Sequence, residues 1–166
     1  MKKIILAAFL GLCTLSFGEI KDNVGLFSET EKTAISEIIE KIEQEKEIKI
    51  YLNTVIGEES YQLENPQKTF IITYQQISKD IIITELKFTE DLGMSSKSQE
   101  LDLILDSLKD QVFDYNYMEY TKTLLEQVNT LIPKETEEEK NSDKNFPEDS
   151  REEKKSFFKK IFSKNP

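Results

Sequence analysis

Apolar side chains recur every three or four positions in three stretches of this chain, the spacing that places them on one face of an α-helix. The first stretch predicts a helix over about residues 29–45 that begins with a capping box of Ser28 and Glu31. Two later stretches predict a second and a third helix, and Pro133 ends the third. The positions that define the three helices are Ala34, Ile35, Ile38, Ile39 and Ile42; Leu101, Ile104, Leu105, Leu108 and Val112; and Met118, Thr121, Leu124, Leu125, Val128 and Leu131.

Between the first two helices the chain is rich in β-branched and aromatic residues, which favour strands. Residues 48–55 alternate apolar and polar side chains and predict one strand. Residues 69–74 predict a second strand and residues 80–88 a third, with a hairpin turn at residues 75–79 between them. The polar segment 57–67 predicts a loop. This order of elements predicts an α/β fold, in which a small central sheet is covered by helices.

The first 18 residues have the pattern of a signal peptide. Lys2 and Lys3 precede an apolar run over residues 4–17, and small residues at its end predict cleavage before Glu19. The run is shorter than the roughly 20 residues that span a membrane, so we expect no transmembrane helix after cleavage. Cys13 lies deep in this run, which disfavours lipidation. The protein is therefore expected to be exported, to the periplasm or the extracellular space.

Three segments follow the signal peptide. Residues 19–133 are expected to form one domain. Residues 134–153 carry four basic and nine acidic groups and predict a disordered acidic linker. Residues 154–166 reverse the sign, with five lysines and no acid, and form a basic-aromatic tail. This tail is expected to contact an anionic membrane surface or a groove on an envelope protein through Phe157, Phe158, Lys159, Lys160 and Phe162; the alternative is a frayed terminus with incidental aromatics.

The composition excludes several kinds of chemistry. After cleavage the chain has no Cys, His or Trp, so thiolate nucleophiles, imidazole bases and Cys/His zinc sites are absent, and no disulfide forms. The net charge of −10 becomes −12 when the two signal-peptide lysines are removed, and all of this charge lies in residues 19–133. An acidic domain disfavours nucleic-acid binding. No catalytic or cofactor-binding residue is predicted.

Three carboxylates are the candidate metal ligands. Glu90 and Asp91 follow the third predicted strand, Asp22 precedes the first predicted helix, and hard oxygen ligands of this kind bind Ca²⁺. The alternative is that Asp22 stabilises the turn before the first helix and that Glu90 and Asp91 are ordinary loop charges. A cluster of Tyr115, Tyr117 and Tyr120 is expected to close the core with its hydroxyls toward water, rather than to line a groove.

The chain resembles the TPM-domain family, which includes a phosphatase-like protein of the thylakoid lumen and many bacterial exported proteins. The resemblance covers about residues 19–132 and is carried by Asp22, Gly25, Phe27 and Ser28 before the first helix, by strands at residues 48–55, 70–74 and 80–84, and by residues 113–117. The chain departs from the family in three places. The polar segment 57–67 is short where relatives place a helix, and residues 89–93 replace the glycine-rich turn that follows the third strand in relatives. The C-terminal membrane helix of many relatives is replaced by the basic-aromatic tail. The resemblance implies an α/β fold, with phosphatase activity or calcium binding in some relatives.

Three functional hypotheses follow. The first is an exported, non-enzymatic interaction module of the cell envelope whose tail docks on a membrane surface or a protein partner. The second, implied by the resemblance, is a calcium-dependent, phosphatase-like hydrolase. The third is a periplasmic assembly or repair factor whose acidic surface binds a basic client.

Overall fold

The computed structural model describes residues 19–57, 63, 66–79, 81–133 and 156–163. Its elements in chain order are β1 (Ile20–Asp22), α1 (Glu29–Lys46), β2 (Lys49–Ile56), β3 (Thr69–Ser78), β4 (Ile81–Phe88), a short 3-10 helix (Glu90–Leu92), α2 (Ser98–Phe113), α3 (Tyr117–Leu131) and β5 (Ser156–Ser163). Strands and helices together confirm the predicted α/β class.

The five strands form one mixed sheet in the order β1-β2-β3-β4-β5. The first three strands are parallel, whereas β4 is antiparallel to β3 and β5 is antiparallel to β4. The three strands expected from the sequence are β2, β3 and β4, at the centre of the sheet. The two edge strands, β1 and β5, were not expected. Most of the predicted loop after Gly57 and the whole predicted linker lie outside the described residues.

Helix α1 begins at the predicted capping box. The Ser28 hydroxyl accepts a hydrogen bond from the Glu31 N–H at 3.3 Å, and the Ser28 N–H donates to Glu31 Oε2 at 2.8 Å. Two of the N–H groups that a helix start leaves without a partner are satisfied in this way. The helix ends at Glu47, whose backbone is left-handed with φ 55°.

The hydrophobic core lies between the three helices and one face of the sheet. The even-numbered positions of the central strands contribute Ile50 and Leu52, Phe70 and Ile72, and Ile82 and Leu86, all buried. Ile35 and Ile39 of α1, Leu101 and Leu105 of α2, and Leu124 and Val128 of α3 pack against them. Because side chains alternate along a strand, the odd-numbered positions belong to the other face of the sheet. No helix among the described residues is long and apolar enough to cross a membrane.

Candidate functional site

The carboxylate of Asp22 organises the connection from β1 to α1. It accepts hydrogen bonds from the N–H groups of Gly25, Leu26 and Phe27 at 3.0 to 3.1 Å and from the Thr54 hydroxyl at 2.7 Å. Lys32 Nζ lies 3.6 Å away, and the Asp22 side chain is 1% exposed. Burial acts to raise the pKa of Asp22, but these hydrogen bonds and the charge of Lys32 outweigh it and lower the pKa. The carboxylate therefore has a structural role.

Glu90 and Asp91 lie at the other end of the sheet. Asp91 Oδ2 accepts a hydrogen bond from the Lys68 N–H at 2.8 Å, beside the start of β2, whereas Asp22 is in register with Thr54 near the end of β2. The five residue steps from Lys49 to Thr54 correspond to about 16 Å along the strand. The structure thus does not bring Asp22 together with the other two predicted ligands. The described residues contain no group of three or more carboxylate, Cys or His side chains placed to hold a metal.

The tyrosines contribute mainly to the core. Tyr120 is fully buried, and its hydroxyl is 2.9 Å from Thr84 Oγ1. Tyr74 is also fully buried, and its hydroxyl forms a hydrogen bond with Thr121 Oγ1 at 2.9 Å. The ring centroids of Tyr74 and Tyr120 are 5.7 Å apart. The expectation that the Tyr120 hydroxyl reaches water was wrong, because a threonine on β4 satisfies it inside the protein. Tyr115, by contrast, is 48% exposed.

The basic-aromatic segment occupies the free edge of β4. Residues 156–163, which include all five predicted contact residues from Phe157 to Phe162, form β5 and pair with all eight residues of β4. The prediction placed this segment in a tail that is separate from the domain. In the structure its backbone completes the sheet instead.

The register between β4 and β5 matches residues of complementary chemistry. Three apolar pairs are Ile82 with Phe162, Ile83 with Ile161 and Leu86 with Phe158, and one pair of opposite charge is Glu85 with Lys159. Directly opposed positions of an antiparallel pair are close enough to interact, and apolar or oppositely charged pairs stabilise the sheet. The sequence of β5 is therefore suited to the β4 edge at individual positions.

A second surface lies on the side of the sheet away from the core. We call it the helix-free face, and it is formed by Asn53, Val55, Ile71, Thr73, Ile83 and Glu85 of the three central strands. These six side chains are buried, with at most 8% exposed, yet none belongs to the core cluster to which the three helices contribute. Helices on the opposite side of the sheet do not account for this burial.

A polar row crosses the middle of the helix-free face. Asn53, Thr73 and Glu85 are consecutive partners across β2, β3 and β4. Lys87 Nζ lies 3.4 Å from Glu85 Oε2, so the carboxylate has a cationic partner. Both side-chain polar atoms of Asn53 and the Thr73 hydroxyl are buried without a hydrogen-bond partner. Such groups are costly to bury, which makes this row the least satisfied polar part of the described sheet.

Sequence patterns identified the segment of β5 but not the site it occupies. The paired positions of β4 lie 68 to 82 positions earlier in the chain, too far for a local pattern to indicate the pairing. The helix-free face was not predicted either, because Asn53 and Thr73 are ordinary polar positions within their strands. No family model, no curated protein and no solved structure matches this chain.

Proposed function

We propose that this protein is an exported, non-enzymatic interaction module of the cell envelope, and that the edge of β4 is its docking site for an extended segment. The observation that carries the proposal is the eight-residue register between β4 and β5. In strand addition, main-chain hydrogen bonds supply affinity and side-chain positions along the strand supply specificity. The edge of β4 offers backbone groups for pairing along eight residues and a distinct side chain at each position.

The chain's own C-terminal segment is the ligand of this edge in the folded monomer. The 22 residues between Pro133 and Ser156 span at most about 75 Å when extended. A tether of this length gives the docked strand an effective concentration on the order of millimolar. A partner segment must therefore compete with β5, and an exchange of strands couples partner binding to release of the basic-aromatic segment.

The chemistry of the partner follows from β4. Its edge offers apolar residues at Ile82 and Leu86 with the acidic Glu85 between them, so it selects an extended segment with aromatic or aliphatic residues on both sides of a lysine. The released C-terminal segment, with its lysines and three phenylalanines, then becomes available to an anionic membrane surface or to a second site on the partner. In this proposal the C-terminal segment associates with the envelope only after a partner strand has replaced it at the edge of β4.

The test uses the mature chain, residues 19–166, and a fluorescent peptide of residues 154–166. In the wild-type chain β5 occupies the edge, so weak peptide binding is expected. The variant Phe158→Pro cannot maintain the β5 ladder, because proline lacks the N–H and is confined to strand edges and bulges. Its β4 edge should bind the peptide at least tenfold more tightly, as measured by fluorescence anisotropy.

Two controls separate strand docking from charge attraction. The peptide carrying Phe158→Pro keeps every lysine and should bind neither chain. The peptide carrying Lys159→Glu should bind more weakly than the peptide carrying Lys154→Glu, since only Lys159 lies opposite Glu85. Equal binding of all peptides would contradict the proposal. Retention of the wild-type chain on phosphatidylglycerol vesicles, without peptide exchange, would favour direct membrane docking instead.

A further inference from the structure

Helix α2 ends in a backbone conformation that glycine usually supplies. The Asn116 N–H donates to the Gln111 carbonyl at 2.9 Å. The Tyr115 N–H donates to the Val112 carbonyl at 3.0 Å, and the two bonds together form a Schellman motif. The left-handed position of this motif is Tyr115, with φ 57°. Glycine adopts this conformation freely, whereas a bulky residue in it is strained, so the chain carries a tyrosine where glycine would suit the backbone better.

The strained tyrosine presents its ring at the surface, next to a second tyrosine. Tyr115 is 48% exposed, so the core does not require its side chain. Its ring centroid lies 6.4 Å from that of Tyr117, and the two ring planes make an angle of 73°, an edge-to-face arrangement. Tyr117 is half-buried and packs against the core. These two residues, which we call the aromatic pair, therefore form a partly exposed surface that is fixed at the corner between α2 and α3.

The surroundings of the aromatic pair favour a positive charge. Residues 110–121 include Asp110, Asp114 and Glu119 and no basic residue. The carbonyl end of a helix carries a partial negative charge that attracts cations, yet the last turn of α2 contains no basic residue. The first turn of α3, whose N–H groups carry the opposite partial charge, contains Glu119. Because the face of an aromatic ring also attracts cations, the rings, the carboxylates and the end of α2 all favour the same kind of ligand.

We propose that the aromatic pair, together with Asp114, is a contact site for the lysine or arginine side chains of a basic partner segment. The rings supply cation–π contacts, and the carboxylates supply an attraction that salt weakens. This role accounts for a tyrosine at the strained position, because glycine would remove the exposed ring. The site contains no residue of β4 and is therefore separate from the edge that binds an extended strand.

The test uses residues 19–166 and a fluorescent peptide of alternating lysine and glycine, in which the glycines disfavour pairing as a strand. Fluorescence anisotropy at low ionic strength measures binding. Tyr115→Gly removes the ring and suits the left-handed backbone. Peptide binding should therefore weaken about three- to fivefold, while the midpoint of thermal unfolding rises by a few degrees. Unchanged peptide binding would overturn the proposal, and so would a lowered midpoint, which is the result expected if Tyr115 serves only in packing.

Two further substitutions at the same position identify the interaction. Tyr115→Phe keeps the face of the ring and should bind the peptide as tightly as the wild type does. Tyr115→Leu keeps an apolar side chain of similar reach but has no ring, and should bind as weakly as Tyr115→Gly. Equal binding by Tyr115→Phe and Tyr115→Leu would overturn the cation–π contact.

Charge controls separate this site from the general acidity of the domain. Asp114→Asn should weaken peptide binding more than Glu37→Gln, which removes the same charge from an exposed position of α1. A peptide whose lysines are acetylated keeps its length but loses its charge, and should not bind. Equal effects of Asp114→Asn and Glu37→Gln would assign the binding to the net charge of the domain and overturn the proposal.

Discussion

At the scale of single residues, Asp22 shows how one side chain determines the geometry of a connection. Its two oxygens receive three backbone N–H groups, so the chain between β1 and α1 turns around the carboxylate. The Thr54 hydroxyl ties the same carboxylate to β2. An amide in place of the carboxylate offers one acceptor oxygen instead of two and carries no charge for Lys32.

We predict that Asp22→Asn lowers the free energy of unfolding by about 1–3 kcal/mol near neutral pH, because it removes charge-assisted hydrogen bonds from a buried site. The pKa of Asp22 in the folded state lies below its ordinary value of 3.8, so its stabilising effect is complete above that value. The effect is lost as the pH falls through the lowered pKa. Urea unfolding between pH 7 and pH 2 should therefore show the difference between wild type and variant shrinking in acid.

Asp91→Asn is the matched control for this series, because Asp91 is exposed and accepts an exposed backbone hydrogen bond from Lys68. Its unfolding curve should stay within about 0.5 kcal/mol of the wild type. A difference for Asp22→Asn that stays constant down to pH 2 would contradict the ionic role assigned to Asp22.

We predict that the buried hydroxyl pair of Tyr120 and Thr84 is strongly coupled. Tyr120→Phe leaves the Thr84 hydroxyl buried without this partner, and Thr84→Val does the same to the Tyr120 hydroxyl, so each should cost about 1–3 kcal/mol. The double variant removes both polar groups and should cost less than the two single variants added together. A double-mutant cycle by chemical unfolding measures this coupling, and strict additivity would argue against the hydrogen bond.

At the scale of elements, the sequence predicted structure that depends on residues a few positions apart. It did not predict structure that depends on contacts between residues far apart in the chain. The capping box of Ser28 and Glu31 is confirmed because both of its hydrogen bonds join residues three positions apart. The strand β5 was not predicted because its alternation is short and its stability depends on β4. The role of Asp22 was open for the same reason, since Thr54 lies 32 positions away in the chain.

We predict that Ser28→Ala destabilises α1 and lowers the free energy of unfolding by about 1 kcal/mol, because the Glu31 N–H loses its acceptor. The substitution Ser28→Asp retains an acceptor at the same position and should preserve most of the stability. Thermal unfolding of the mature chain measures both variants. If Ser28→Asp were as unstable as Ser28→Ala, capping would not be the reason for the loss.

At the scale of the whole molecule, each described strand pairs with the next described strand in the sequence, and the two edges of the sheet are formed by the first and the last of these strands. This arrangement leaves the longest unprotected edge on β4 whenever β5 is undocked. An open edge of eight residues pairs readily with another chain. We therefore expect self-association to depend on whether β5 occupies the edge of β4.

We predict that a chain ending at residue 133 self-associates as its concentration rises, whereas residues 19–166 remain monomeric under the same conditions. The cause is the β4 edge, which truncation leaves without its strand. Sedimentation velocity over a hundredfold concentration range measures the difference. Phe158→Pro in the full mature chain opens the same edge without altering the net charge, so a strictly monomeric Phe158→Pro chain would contradict this explanation.

We predict that excess Ca²⁺ leaves the thermal unfolding of the mature chain unchanged. Calcium prefers six to eight oxygen ligands, and the structure holds Asp22 apart from Glu90 and Asp91 and engages it in other contacts. A ligand at 100 times its Kd would add about 2.7 kcal/mol and a shift of several degrees. Such a shift, if abolished by Asp91→Ala, would instead support the calcium site expected from the sequence.

The order of strands in the sheet also has a consequence for how the chain folds as it is synthesised. Each new strand can add to the one before it, from β1 through β4, as the chain appears from its amino end. The last described position in the sheet is filled by residues 156–163, which are synthesised 68 or more positions after the β4 residues with which they pair. The described sheet is therefore completed only after synthesis has passed Ser163, and a chain interrupted between β4 and β5 carries an unfilled strand position.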